Sequence, residues 1–435
     1  MTDAHVKRFA RFLRKRSNRP DFSQVKDARK RRGQRWSLPS LFNAVFVGMM
    51  AFETSLRGVE RLTRDLDGCR RRLSIKRRVP DSTLARLLAN HRDEEGLRQA
   101  LVGQIRHAER NKALEPTRLP INMVVIDGQT LLCGDKEIDD PACQAAHYDD
   151  GTTYYRLHTL HAVLVSAASQ PCIDQLLVRG KTNEMGEYTK FVDRLHAAYG
   201  RSQDRLELIA SDAGMTSADN AKHTNALHSG YMMGVKENQP TLLREAERLC
   251  GWGAHKQAGH ICEAATDWER YRGESIRREL FRSRDIEGWP SWESARQIWR
   301  VKQTTVRDDG TTVVENRYFI TNLAWGRLSG EQILAVVRMM WGVENGCHWS
   351  LDVILKQDTR CWCTGGKAQR MLSWLRLMAY NALRLLKDRY LRSDKSRAMP
   401  WDDVRRHLTK ALTDARAWIG AAVDDSDSEA ATATL

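Results

Sequence analysis

The chain has 435 residues, 41% of them hydrophobic and 29% charged, which excludes a largely disordered protein and leaves room for two to four domains. The formal net charge of +15 is unevenly placed: residues 1–120 carry 29 Lys and Arg against 13 Asp and Glu, and the remainder carries 41 against 42. A positive field concentrated in one region attracts polyanions, of which nucleic acid is the commonest.

Nine cysteines without framework-like spacing exclude a disulfide scaffold and fit a reducing cytoplasm. The longest uncharged run, Trp36 to Phe52, is short for a bilayer span and contains Ser37, Pro39, Ser40 and Asn43. It reads as a buried helix, and the chain as an intracellular protein without a membrane segment. Gly-rich phosphate loops, HExxH and GxSxG are absent, so nucleotide hydrolysis and serine-hydrolase chemistry have no support.

In chain order, residues 1–36 form a basic arm, either disordered or a helix lying along phosphates, that includes Arg14, Lys15, Arg16, Lys30, Arg31, Arg32 and Arg35. Residues 37–116 read as a helical DNA-binding domain, with helices near 38–51, 54–66, 82–90 and 94–112, a break at Asp67-Gly68 and a basic turn carrying Lys76, Arg77 and Arg78. Asp81 reads as the N-cap of the third helix. Residues 117–250 alternate between strand and helix patterns. INMVVID, YYRLHTLHAVLVSA and CIDQLLVRG are strands, followed by a helix, the strand LELIASD, a second helix and the strand YMMGVK. The order β-β-β-α-β-α-β specifies an α/β fold with a mixed sheet flanked by helices. Residues 251–325 read as a strand-rich insertion with a hairpin turn at Asp308-Asp309-Gly310. Helices return over 326–395 and 396–420, and 421–435 is an acidic, low-complexity tail expected to be disordered.

Asp127 ends the apolar run INMVVI, Asp212 ends LELIAS, and Glu344 lies in WGVENGCHW on a helix. Brought together, three carboxylates offer the hard oxygen ligands that Mg²⁺ requires, and a pair of such ions about 3.5–4 Å apart activates one oxygen and stabilises another. Read singly, an Asp at a strand end is as often a turn or cap residue. Lys236, Asn238 and Gln239 follow the strand YMMGV at the same sheet edge and suit phosphate and base contacts; Lys181 and Asn183 occupy an earlier polar run. Cys250, His255, His260 and Cys262 give a C-x₄-H-x₄-H-x-C spacing unlike the usual zinc knuckles, and His158 and His161 read as structural. Twelve of the 13 tryptophans follow residue 250, and an exposed one could hold an unstacked base.

The strings VVIDGQT, QLLVRGKTNEM, IASDAGMTSADNAK, GYMMGVKENQPTLL, YFITNL and RMMWGVENGCHWSLDVILKQDTR come in one order from about Arg31 to Leu386. This pattern resembles a DDE transposase of bacterial insertion sequences, in the group that includes the H-repeat-associated proteins. The resemblance implies an RNase H-like core interrupted by a strand-rich insertion, with Asp127, Asp212 and Glu344 as ligands of two Mg²⁺ ions, for which Mn²⁺ substitutes. It also implies cleavage of double-stranded DNA at terminal inverted repeats, joining of the freed 3′-OH to target DNA, and a homodimer on paired ends in the bacterial nucleoid. Two departures stand out. Gln129 replaces a frequent Lys, and Val337, Met340 and Leu351 occupy positions where more distant relatives carry Tyr, Arg and Lys. Phosphate contacts then fall to Arg338, His348, Lys356 and Arg360, and Asp352 rivals Glu344 as third ligand. A repurposed DNA-binding protein and a nuclease without strand transfer are the alternative readings.

Overall fold

The computed structural model describes residues 3–66, 69–117, 119–200, 205–251, 262–271, 273–357, 362–363, 365–391 and 393–418. Asp67-Gly68, His255, His260, Arg360, the side chain of Cys262 and the acidic tail therefore lie outside the described residues.

The N-terminal region is helical: α1 (Asp3–Arg14), α2 (Leu38–Met50), α3 (Leu56–Asp65), α4 (Asp81–Asn90) and α5 (Glu94–Arg110). Residues 3–14 are a folded helix, the second of the two readings of the basic N-terminus, and it packs by one face. Val6, Phe9, Ala10, Phe12 and Leu13 share one face and are buried. Covering each large side chain of that face stabilises by about 1.5–3 kcal/mol, which the basic residues on the other face do not oppose. Asn18 fixes the exit by donating from Nδ2 to the Phe12 carbonyl and to the Tyr390 hydroxyl, both at 3.0 Å. Asp81 is not a cap: Pro80 takes the N-cap position, and the Asp81 N–H donates to Glu60 Oε2 at 2.9 Å.

The next stretch of chain supplies β1 (Met123–Gly134), β2 (Gln144–His147), β3 (Thr153–Leu164), β4 (Cys172–Leu177), α6 (Glu184–Tyr199), β5 (Leu208–Ser211), α7 (Ala218–Ala226), β6 (Gly230–Val235) and α8 (Pro240–Cys250). Next come β7 (Cys262–Tyr271), β8 (Glu274–Ser283), β9 (Gln297–Val306) and β10 (Thr312–Thr321). The C-terminal helices are α9 (Gly330–Met340), α10 (Gly366–Leu385), the short α11 (Asp394–Arg397) and α12 (Trp401–Thr413). β4, β3 and β1 pair antiparallel in that order, and β1 continues parallel to β5 and then β6. This order and polarity make the mixed sheet RNase H-like.

The ten described strands form one sheet. β10 pairs antiparallel with β6, from Tyr318 opposite Val235 to Thr321 opposite Met232, so residues 262–321 extend the core sheet instead of forming a separate body. The N-terminal helices are not separate either. α1 to α5 share one apolar core with α10, α12 and the sheet face that carries Met123 and Val125. Val124 and Ile126 face the other way, into a second core with α6 to α8. By the same alternation Asp127 follows Val125 onto the first face.

α9 does not run on as one helix through Glu344 and Asp352. It ends at Met340, and Val343–His348 and Ser350–Ile354 are π-helical. The wider turn breaks the four-residue ladder expected for Glu344, His348, Asp352 and Lys356, and such insertions recur at functional sites. Lys356 leaves the last turn with φ +54°, where side chains are rarely found.

Candidate active site

The parallel pairing of β1 with β5 ends at Ile126 opposite Ser211, so Asp127 and Asp212 are the next residues on neighbouring strands. Asp127 is inside β1, which continues to Gly134 beyond its shorter neighbour. Asp212 lies in the turn after β5. One oxygen of each is fixed by backbone: Gly128 N–H donates to Asp127 Oδ1 at 2.9 Å, and Gly214 N–H to Asp212 Oδ1 at 3.0 Å. Glu344, in the π-helical stretch, lines the same cavity of about 250 Å³ together with Lys236, Arg317 and Trp341.

The carboxylates repel one another in a dry setting. Burial, then Asp212, then Glu344 push the Asp127 carboxyl up to about 7. Burial and then Glu184 raise Asp212, against the lowering effects of the Gly214 N–H and Lys236. Such a cluster fits a cation: its ligands are hard oxygens, and a positive charge among them offsets the burial and the repulsion that hold both carboxyls above their ordinary range.

Glu184 is the acidic neighbour that the strand-end argument missed. It opens α6 directly after Asn183, whose side chain caps the helix by accepting from Gly186 N–H at 3.0 Å. His158 Nε2 lies 2.5 Å from Glu184 Oε1, which brings this strand histidine beside the carboxylate cluster. The pair stands against Gly128, where a Cβ would overlap Glu184 Oε1 and come within 2.6 Å of His158 Nε2. The sole signal in the sequence was the Glu within KTNEM. Arg317 gave no local signal, because only the pairing of β10 with β6 brings the insertion to the cavity.

Asp352 does not line this cavity; its Oδ1 accepts a 3.0 Å hydrogen bond from Gln129 Nε2. His348 places Nδ1 3.5 Å from Asp127 Oδ2. Burial first, then His158, push its imidazole down to about 4, so it is neutral near pH 7 and is not a cation for phosphate. Arg338 is engaged by Glu269 at 2.6 Å and Asp267 at 3.6 Å on β7. Asn238 and Gln239 bond to the Ala213 and Thr216 carbonyls and tie down the turn after Asp212, which leaves Lys236 as the residue of that group at the cavity. Lys181 is exposed and lines a different cavity with Arg179, Lys190 and Arg370.

Among the N-terminal basic residues, Arg35 and Arg77 flank the Trp36 ring at 5.3 and 4.6 Å. Arg32 and Arg35 line a groove of about 420 Å³ along α4, joined by Arg86 and Asn90. Lys15, Arg16, Lys30, Arg31, Lys76 and Arg78 are also exposed, and Arg78 pairs with Glu60. Arg14 is half-buried.

Residues 119–382 match the transposase DDE domain family. The chain belongs to that family. Two relatives come from Escherichia coli (strain K12). YbfL is 22% identical over 268 residues, covering 60% of this chain and 64% of YbfL. The H repeat-associated protein YhhI is 36% identical over 67 residues, covering 15% of this chain and 17% of YhhI. This DDE-family chain thus matches less than two thirds of the length of either. A piggyBac transposase synaptic complex with hairpin DNA is similar at a TM-score of 0.43 and 12% identity, over 95% of this chain and 80% of that one. Among the described residues of the DDE-family chain, no helix is long and apolar enough to cross a membrane.

Proposed function

We propose that this chain is an insertion-sequence DNA transposase that cleaves phosphodiester bonds at the ends of its element and joins the freed 3′-OH to target DNA. The reading rests on one observation, the gathering of Asp127, Asp212 and Glu344 around a single cavity of a DDE-family fold. These three carboxylates would hold Mg²⁺, with Mn²⁺ substituting. Ions held there would activate the attacking oxygen, of water or of the 3′-OH, and stabilise the leaving one.

The other residues prepare the site. Gly128 and Gly214 each hold one carboxylate oxygen by a backbone N–H and leave the second free to turn to the cavity. His348, neutral and buried, lies 3.5 Å from Asp127 Oδ2 and adds no charge beside it. Lys236 faces the cavity as a cation for a phosphodiester, and Arg317, whose Nη2 donates to Glu315 at 2.8 Å, lines it as a second and partly neutralised one. Beyond Arg317 and Trp341 a groove of about 750 Å³ carries Tyr271 and Trp349, aromatic faces suited to unstacked bases. The basic groove along α4, with Arg32, Arg35, Arg77 and Arg86, grips the inverted repeats by their phosphates. One site per DNA end makes the working unit a dimer on paired ends.

The test is cleavage and joining of labelled DNA taken from the sequence flanking the reading frame, with Mg²⁺, with Ca²⁺ and with Asp127→Ala. Mg²⁺-dependent nicks at fixed ends plus joined product, both lost in the variant, are expected. Binding without cleavage in any divalent metal would reduce the chain to a DNA-binding protein, and cleavage without joined product would make it a nuclease.

A further inference from the structure

We propose that His161, Cys172 and Cys347 form a buried zinc site directly behind the carboxylate cluster. His161 is the partner of Asp127 across β1 and β3, Cys172 opens β4, and Cys347 lies three residues after Glu344 in the π-helical stretch. One ligand atom from each lies within 4.8 Å of the other two. Bonds of about 2.3 Å from zinc to sulfur and 2.0–2.1 Å to nitrogen reach all three corners of such a triangle after a small inward movement.

The polarity of the site asks for an occupant. His161 is 1% exposed, and neither ring nitrogen makes a hydrogen bond of good geometry. Gln175 lies opposite it across β3 and β4, yet its Oε1 is also without a partner. A buried imidazole left this way costs free energy that a metal bond removes. The two sulfurs are wholly buried, and Cys172 Sγ donates to the Asp174 carbonyl at 3.3 Å. Burial first, then Cys347 and Asp174, hold the Cys172 thiol well above its ordinary range. Before metal arrives that thiol is therefore protonated.

Charge selects the ion. Zn²⁺ entering the site displaces one proton from each thiol, and two thiolates, one neutral imidazole and Zn²⁺ sum to zero, which suits a dry interior. Copper(I) with the same ligands leaves a net negative charge. Mg²⁺ is excluded by its preference for oxygen, and an iron–sulfur cluster by the need for four sulfur or imidazole ligands around two irons or more. The ion ties β3, β4 and the stretch that carries Glu344. It also backs His348, whose ring stands edge-on to His161 with centroids 5.2 Å apart and whose Nδ1 is 3.5 Å from Asp127. This site is independent of the transposase reading and differs from the Cys250–Cys262 spacing.

The test uses the full chain, expressed in zinc-supplemented medium and purified without chelator, for metal analysis and for cobalt substitution. One zinc per chain is expected, along with a sulfur-to-cobalt charge-transfer band in the near ultraviolet. Cys172→Ser and Cys347→Ser should each lose zinc and band, while Cys250→Ser keeps both. Wild-type protein that holds no zinc and gives no cobalt band overturns the proposal, whether or not the serine variants fold. So does a band that survives in both Cys172→Ser and Cys347→Ser.

Discussion

Gln129 donates a 3.0 Å hydrogen bond from Nε2 to Asp352 Oδ1, and in doing so occupies the carboxylate that rivals Glu344. With Asp352 held against β1 and Glu344 lining the cavity, the two acids separate into different duties. Asp352→Asn keeps an acceptor for Gln129 and should leave strand cleavage within a few-fold of wild type. Glu344→Gln should lower it at least about a hundredfold, which corresponds to about 2.7 kcal/mol. Rates on labelled DNA at saturating Mg²⁺ check this, and the reverse ranking would make Asp352 the third ligand.

Asp127 connects the cluster to stability. Its carboxyl titrates near 7 in the folded chain against an ordinary value of 3.8. Below 3.8 it is protonated in both states and carries no penalty. As pH rises toward and through 7 the unfolded chain ionises first, so the folded state loses stability across that window. Asp127→Asn removes the loss. Freed of Mg²⁺, the variant should melt above wild type at pH 8 and level with it at pH 4, and Mg²⁺ should raise the wild-type Tm alone at pH 8. A Tm difference that does not change with pH would contradict the assignment.

How much of this was legible depends on how local each signal is. The apolar runs around Asp127 and Asp212 and their strand-helix alternation specify a mixed sheet flanked by helices, because period and turn chemistry act over a few residues; the RNase H-like core was implied only by the resemblance to DDE transposases. The burial of α1 was hidden by composition: thirteen basic residues in the first 36 mask the face made by Val6, Phe9 and Leu13. The continuity of β10 with β6 depends on the pairing of Tyr318 with Val235, 83 positions apart, which no periodicity encodes. The π-helical turns at Glu344 follow a helix-like pattern in sequence, so the four-residue ladder was the natural expectation. Glu184 was missed because it reaches the cluster from α6, on the opposite side of the sheet from Glu344.

The groove along α4 should carry a salt-dependent share of DNA binding. Arg32, Arg35 and Arg77 surround Trp36, and Arg77 anchors the arrangement by donating to the Arg35 carbonyl at 3.1 Å. Replacing all three by Ala should weaken binding to any duplex and reduce the slope of log K against log salt by about 3, close to 0.9 for each phosphate no longer neutralised. Cleavage by protein saturated with DNA should be little changed. An unaltered slope would move the DNA path to another face.

Gly128 sets the distance between Asp127 and the Glu184–His158 pair. A methyl at this position would strike Glu184 Oε1 and His158 Nε2, both side-chain atoms, so the clash is specific and removable. Gly128→Ala alone should destabilise by about 1–3 kcal/mol, as overpacking does, and should disturb Asp127, whose Oδ1 is held by the neighbouring N–H. Glu184→Ala vacates the space that the methyl needs. In the double variant the cost of Gly128→Ala should therefore shrink by more than about 1 kcal/mol, a coupling of the size found for residues in contact. Denaturant titration of the four proteins measures it. Additive costs would mean that Gly128 is required for its backbone alone, and that Glu184 does not crowd the first carboxylate of the cluster.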